Sequence, residues 1–218
     1  MERYFKFDKF NTFTDWDLIL TAKDVTPPEP KIYNVDIDGM DGTLDLSEAL
    51  SGHVVYKDRT VSAKFWTDHG TRVDRNNLLR RIRQSIHGKK VRIVEPDDPD
   101  HYFFGRVRIK DEVNNLAYAE ISIECVCEPY RYNLTDSVRN VVVKEGQAIN
   151  LVFTNNGHKI VTPEIKVTGS IELTFNGSKT SLVAGTYKIT DLRLLPGSNV
   201  VGISGSGSAT FTYKEADI

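Results

Sequence analysis

No stretch of this chain approaches the roughly 20 consecutive apolar residues that cross a bilayer as a helix, and its N-terminus lacks the apolar core of a signal peptide. A soluble protein made in the cytoplasm, with no membrane partner, is expected. Cysteine is scarce: only Cys125 and Cys127 occur, two positions apart in a segment that reads as a strand. Two thiols on one face of a strand are too few for a zinc site and badly placed for a disulfide, so buried free thiols are expected. An excess of either charge is lacking too, since 28 Lys and Arg stand against 30 Asp and Glu, a net −2. Without a basic field, plain nucleic-acid or anionic-membrane binding is disfavoured.

Catalytic and cofactor signatures are equally absent. The five histidines (His53, His69, His87, His101 and His158) show no metal-ligand spacing, and no GxSxG elbow, P-loop or GxGxxG after a strand appears. Asp36, Asp38 and Asp41 invite a calcium reading. An EF-hand loop begun at Asp36 would place Asp41 where glycine is needed and Ser47 where the bidentate glutamate belongs, so these aspartates are read as turn formers. Asp97, Asp98 and Asp100, interleaved with Pro96 and Pro99, read as a hairpin turn. The sequons at Asn133 and Asn176 are chance matches in a chain without a secretion signal. No enzymatic activity, metal or cofactor is expected.

What the chain does contain is β-patterned. With 218 residues it can bury one large core or two ordinary ones. Its character changes near Pro129–Asp136: up to Tyr132 there are 20 basic and 23 acidic residues (−3), and beyond it 8 and 7 (+1), with Gly, Ser, Thr, Val and Ile prevailing. A boundary there divides residues 1–132 from a second domain at 137–218. In the first part, residues 76–87 carry a helical period, Leu78, Leu79, Ile82 and Ile86 sharing one face, with Asp74 as expected N-cap and Gly88 as C′, for a helix of about 75–87. Arg80, Arg81 and Arg83, followed by Lys89, Lys90 and Arg92, form the densest basic cluster, read as a solvent-facing or salt-bridging surface. The rest of this part reads as antiparallel strands. The second part reads as eight short strands, with tight reversals at Asn156-Gly157, Asn176-Gly177 and Pro196-Gly197, a β-sandwich pattern.

Residues 27–64 stand out. Pro27, Pro28 and Pro30 forbid a helix; alternation then runs through Ile32, Val35 and Ile37 into Asp38-Gly39-Met40-Asp41-Gly42 and resumes at Leu44 and Leu46. The pattern is an extended arm of about 31–58 leaving a body.

Pro30-Lys31, Asp41-Gly42, Leu44-Asp45-Leu46, Tyr56 and Arg59, then Ile86-His87-Gly88-Lys89, Gly105-Arg106-Val107 and Pro129-Tyr130, resemble the pattern of siphophage distal tail proteins, the baseplate-hub subunits of long-tailed phages. One departure is Asp38-Gly39-Met40, where the family usually has proline, glycine and arginine. Residues 194–214 also resemble the last strands of the galectin-like second domain of that family. The resemblance implies a mainly β fold: an N-terminal β-sandwich or barrel-like domain with one helix and an extended arm, plus a C-terminal galectin-like β-sandwich. It further implies a homo-hexameric ring at the distal end of the tail tube, in a virion tail tip or a prophage-derived tail-like particle. Such a ring contacts the tail tube protein, the tail fibre or tail-associated lysin, and the tape-measure protein, and DNA passes through it without specific binding. The subunit interface expected of the arm comprises Tyr33, Ile37, Asp41, Leu44, Leu46, Tyr56 and Arg59. The alternative is a carbohydrate-binding adaptor acting through the second domain. Against it, Trp16 and Trp66 both lie in the first domain, and Phe153, Phe175, Tyr187, Phe211 and Tyr213 fall at positions that suit a core.

Overall fold

The computed structural model describes residues 4–218 and comprises two compact units, Met1–Arg131 and Tyr132–Ile218. The first holds strands β1 (Lys6–Phe7), β2 (Phe10–Asn11), β3 (Ile19–Val25), β4 (Asn34–Asp36), β5 (Thr43–Asp45) and β6 (Arg59–Thr67), helix α1 (Arg72–Ile86), and strands β7 (Lys90–Glu95), β8 (Asp98–Asn114) and β9 (Ala119–Asn133), whose last two residues belong to the second unit. Seven strands of the first unit pair side by side in the order β2-β1-β7-β8-β9-β6-β3. Alternation decides which face is inside: on β6, Val61, Ala63 and Phe65 point inward, matched on β9 by Ile121, Ile123 and Cys125. The sheet curls, because Lys23 on β3 forms ion pairs with Glu95 and Asp97 at the β7–β8 turn, four strands away in the pairing order. Phe5, Phe7, Trp16, Leu18 and Phe65 fill its interior.

Helix α1 buries the expected stripe of Leu78, Leu79, Ile82 and Ile86. Its start is not at Asp74. Thr71 is the N-cap, and Thr71 and Asp74 form a reciprocal capping box that satisfies two amides at the helix start. The end is as expected, with Gly88 at φ +75 just past the C-cap His87. The helix also buries Arg75, which is 1% exposed. Its guanidinium donates to the carbonyls of Gly70 (2.8 Å), Asn115 (3.0 Å) and Leu116 (2.9 Å) and to Oδ1 of Asn114 (3.3 Å), tying the helix start to the β8–β9 turn. The expected turn over residues 96–100 is shorter than its prolines suggest: Glu95 pairs with Asp98, so only Pro96 and Asp97 make the reversal.

The second unit contains β10 (Ser137–Val143), β11 (Ala148–Asn155), β12 (Glu164–Phe175), β13 (Ser178–Lys188), β14 (Gly197–Tyr213) and β15 (Ala216–Asp217). Six of the eight expected short strands are parts of longer ones, since β13 runs through Ala184 and β12 and β14 keep their mutual ladder through Gly169 and Gly205. β14 is central, with β12 along one edge and β11 then β10 along the other. Phe153 pairs with Asn199, 12 residues from Phe211, a distance of about 40 Å along a straight strand. The two phenylalanine rings nevertheless lie 4.9 Å apart, edge to face. The sheet therefore folds back on itself, and its two halves enclose a core of Val141, Phe153, Ile165, Val201, Ile203 and Phe211. The bend falls where Gly169 (φ +87) meets Gly205 (φ +113) and Gly207.

The fold is thus mainly β with one helix and curled sheets, as expected. Cys125 and Cys127 are free and buried on β9. Burial, with the neighbouring charges of Cys127 and Glu124, pushes the Cys125 thiol far up, and burial pushes Cys127 up to about 12 despite Arg59 nearby. The thiolate is the reactive form, so at pH 8 the native chain is expected to react with an aromatic disulfide reagent on the order of a thousandfold more slowly than the denatured chain. Equal rates in the two states would show that β9 opens readily. The unfolded chain loses these protons first, so the stability they contribute is whole below the ordinary thiol value and declines as pH rises above it.

Candidate functional site

The feature of the first unit that its own core does not explain is the arm between β3 and β6. At its base the β3–β6 ladder ends with Thr26 N–H on the carbonyl of Thr60 (3.0 Å), and Pro27 and Pro28 interrupt pairing because proline has no amide to donate. Pairing resumes at Pro30 and Tyr56, where Lys31 N–H donates to Val55 and Lys57 N–H to Glu29, both at 2.7 Å. Beyond this, β4 and β5 form a ribbon of three residue pairs, Asn34 with Asp45, Val35 with Leu44 and Asp36 with Thr43, prolonged by Leu46 N–H on the carbonyl of Tyr33. The tip closes with Met40 N–H on the carbonyl of Ile37, and Gly39 and Gly42 take φ +83 and +77. Ser47 locks the far side: its hydroxyl accepts from Tyr33 N–H (2.8 Å) and donates to Asp45, and this bond together with one from Ser47 N–H (2.9 Å) holds the Asp45 carboxyl below its usual range. The arm is a defined hairpin.

Its apolar side chains find no cover. Ile32 is 67% exposed, Tyr33 64%, Ile37 44%, Met40 43% and Leu44 39%, and Leu50 is fully exposed. A two-stranded ribbon has no second layer to set these residues against, and burying each is worth about 1.5–3 kcal/mol once a surface is supplied. Leu46 is half-buried and Asp41 exposed at the tip.

Tyr56 and Arg59 occupy a different position from the other expected interface residues. Arg59 is 7% exposed; its Nε donates to the carbonyl of Thr26 (3.0 Å), a terminal nitrogen to that of Pro129 (3.3 Å), and the guanidinium lies 4.9 Å from the Phe103 ring centre. Burial, and the positive charge of Arg131, lower its pKa. The Tyr56 ring meets Tyr130 edge to face at 6.3 Å. These two residues, with the Pro129-Tyr130 step, anchor the root of the arm to its own chain, whereas Tyr33, Ile37, Asp41, Leu44 and Leu46 lie on the hairpin itself. The anchoring was not legible beforehand, because Thr26, Phe103 and Pro129 are brought to Arg59 only by the sheet.

The basic cluster is largely consumed internally. Arg83 pairs with Glu112 (3.4 Å) and Lys90 with Glu128 (2.7 Å), Lys89 donates to the last helical carbonyls at Gln84 and Ser85, and Arg92 lies over the Tyr102 ring. Arg80 and Arg81 are exposed and have no ionic partner among the described residues. In the second unit, Phe153, Phe211 and Tyr213 are buried, and Phe175 and Tyr187 pack against the same cluster. A pocket of about 270 Å³ opens beside the β12–β13 turn, with Leu173 and Leu192 inside and Asn176, Asp191 and Arg193 among its lining. Among the described residues, no three His, Cys, Asp or Glu side chains are grouped to hold a metal ion.

No protein-family model matches the chain, and no curated protein matches it in sequence. Among solved structures it is similar to the Dit protein (gp 19.1) of phage SPP1, described as a paradigm of the hub adsorption apparatus in phages that infect Gram-positive bacteria. The superposition covers 99% of each chain with a TM-score of 0.72 at 14% sequence identity. The chain has the fold of that protein over nearly its whole length, in agreement with the resemblance drawn from its motifs.

Proposed function

We propose that this protein is a structural subunit of a phage tail hub, in which six copies form a ring at the distal end of the tail tube and dock the tail fibre or a tail-associated lysin. The observation that carries the reading is the arm: an ordered hairpin with five large apolar side chains exposed between 39% and 67%, rooted by Arg59 in its own body. The whole-chain fold likeness to a hub protein supports it. Laying the arm on an adjacent copy, with further body contacts, can build the roughly 1,200–2,000 Å² that a stable interface needs. An arm on one copy and its seat on the next make a head-to-tail contact, which closes as a cyclic ring. The remaining partners are the tail tube protein and the tape-measure protein, and DNA passes through the hole without specific binding, consistent with the first unit's net charge of −3 (20 basic, 23 acidic to Tyr132). The role requires no catalytic group, and the location is the virion tail tip or a related tail-like particle.

The purified chain is expected to appear in negative stain as a six-fold ring with a central hole, and light scattering should give about six times the chain mass. Deleting residues 32–57 should leave a folded monomer. Persistence of the ring after that deletion would refute the arm's role.

A further inference from the structure

The first unit also contains a surface suited to the tip of such an arm. Where the loop after β1 meets α1, a concave notch of about 420 Å³ is lined by Lys9, Phe10, Asp15, Trp16, Arg81 and Ser85. Its floor is aromatic: Trp16 is 5% exposed and stacks on Phe10 at 5.3 Å between ring centres. Lys9 and Arg81 flank it. Lys9 lies 5.2 Å from the Phe10 ring centre, and neither cation has a carboxylate partner among the described residues. The one acid present, Asp15, is engaged by the loop backbone, its Oδ2 accepting from Asn11 N–H at 2.7 Å.

The arm tip has the converse character. Asp36, Asp38 and Asp41 are exposed without ionic partners among the described residues, and Ile37 and Met40 between them are also exposed. Two unpaired cations around an aromatic floor thus match three unpaired carboxylates around two apolar side chains. The two surfaces lie at opposite ends of the β3–β6 ladder in the chain path: the arm leaves it between Val25 and Arg59, whereas Trp16 precedes Ile19 and α1 follows Thr67. Along the ladder from Val25–Val61 to Ile19–Trp66 these ends are about 17 Å apart, and the arm projects its tip further still. Among the described residues no hydrogen bond or ion pair joins them.

We propose that the acidic tip of one copy's arm (Asp36, Ile37, Asp38, Met40, Asp41) seats in the Lys9–Trp16–Arg81 notch of a second copy. The inference rests on the reading of the arm as a neighbour-binding element and assigns its seat. Opposite charge has a distinct use in this position: the first units repel one another at a net −3 each (20 basic, 23 acidic), so a local contact of opposite sign selects the docking register against other approaches. The charges are solvent-exposed, so the contact weakens as salt shortens the screening length.

The test is a charge-reversal cycle in the full chain, read by sedimentation velocity at low and high salt. Asp38→Lys with Asp41→Lys, and separately Lys9→Glu with Arg81→Glu, are each expected to weaken assembly at least about tenfold at low salt, through lost attraction and new repulsion. All four changes in one chain should restore assembly to near the wild-type value. Tryptophan fluorescence, which includes Trp16 on the notch floor, verifies folding, and the milder pair Asp38→Asn with Asp41→Asn should give a smaller loss of the same sign. If deletion of 32–57 abolishes the ring but the reversals assemble like wild type, the notch is not the seat, although the arm reading stands. Failure of the fourfold variant to recover while folded also overturns the notch proposal. A ring that survives the deletion, or a wild-type chain that stays monomeric at millimolar concentration, overturns both.

Discussion

Replacing Arg75 with methionine is expected to destabilise the first unit by about 3–5 kcal/mol, among the largest effects any single side chain should produce there. The expectation follows from what the guanidinium serves. Three carbonyls, those of Gly70, Asn115 and Leu116, point at it within 3.0 Å, and the side chain is enclosed between the helix start and the β8–β9 turn. Methionine keeps much of the volume but donates nothing, and each buried acceptor left without a donor costs about 1–3 kcal/mol. The losses are not additive, since the turn can shift toward water. Both tryptophans lie in this unit, so a urea transition followed by tryptophan fluorescence reports on it, and the midpoint should fall by roughly 2 M. Arg80→Met, on the same helix but exposed and unpaired, should change stability by no more than about 0.5 kcal/mol. Similar effects from the two variants would mean that the Arg75 network contributes nothing.

Gly207→Val should be comparably damaging in the second unit, at about 3 kcal/mol, for a reason of geometry. A Cβ built on Gly207 would lie 2.3 Å from the carbonyl oxygen of Thr168. That oxygen belongs to β12 backbone, which is held in the ladder and cannot swing aside as a flexible side chain would. The close approach exists because β12 and β14 turn the corner together, and Phe153 meets Phe211 only if they do. The unit contains no tryptophan, so the loss should appear in far-UV circular dichroism while the fluorescence transition stays in place. Gly146→Ala provides the contrast: its φ is +79 but a Cβ there meets nothing within 4 Å, so only the conformational cost of about 1 kcal/mol applies. A Gly207→Val chain as stable as wild type would mean that the corner can open without loss.

These two positions also mark the limits of reading the residues in order. The helix was legible in its apolar face and in Gly88 because periodicity and a left-handed C′ are local properties, whereas its cap was misplaced by three residues: Thr71 and Asp74 are both good capping types, and geometry alone distributes their roles. Nothing in the residue order singles out Arg75; only the turn at 114–116, some 40 positions later, brought against it, gives it a role. Residues 164–167 and 171–176, and likewise 199–204 and 209–213, read as separate short strands, yet Gly169 and Gly205 between them let two long strands bend without losing their pairing. The arm was legible as an extended excursion from its prolines, its alternation and its Asp-Gly turns. Arg59 was legible only as a motif residue, and its partners at Thr26, Phe103 and Pro129 reveal it as an anchor.

Some properties were settled by residue order alone: the β-rich class, the single helix and its buried stripe, the change of character near residue 132, and the arm with its polar tip. They rest on local rules of periodicity, turn chemistry and charge balance. The tertiary structure decided which apolar residues of the arm have no inside position, among them Ile32, Tyr33, Ile37, Met40 and Leu44, and which cations beside an aromatic floor, Lys9 and Arg81, have no carboxylate partner among the described residues. Burial and ion pairing depend on neighbours distant in the chain, so only a folded body can show which of its groups are still unsatisfied and therefore available to another copy.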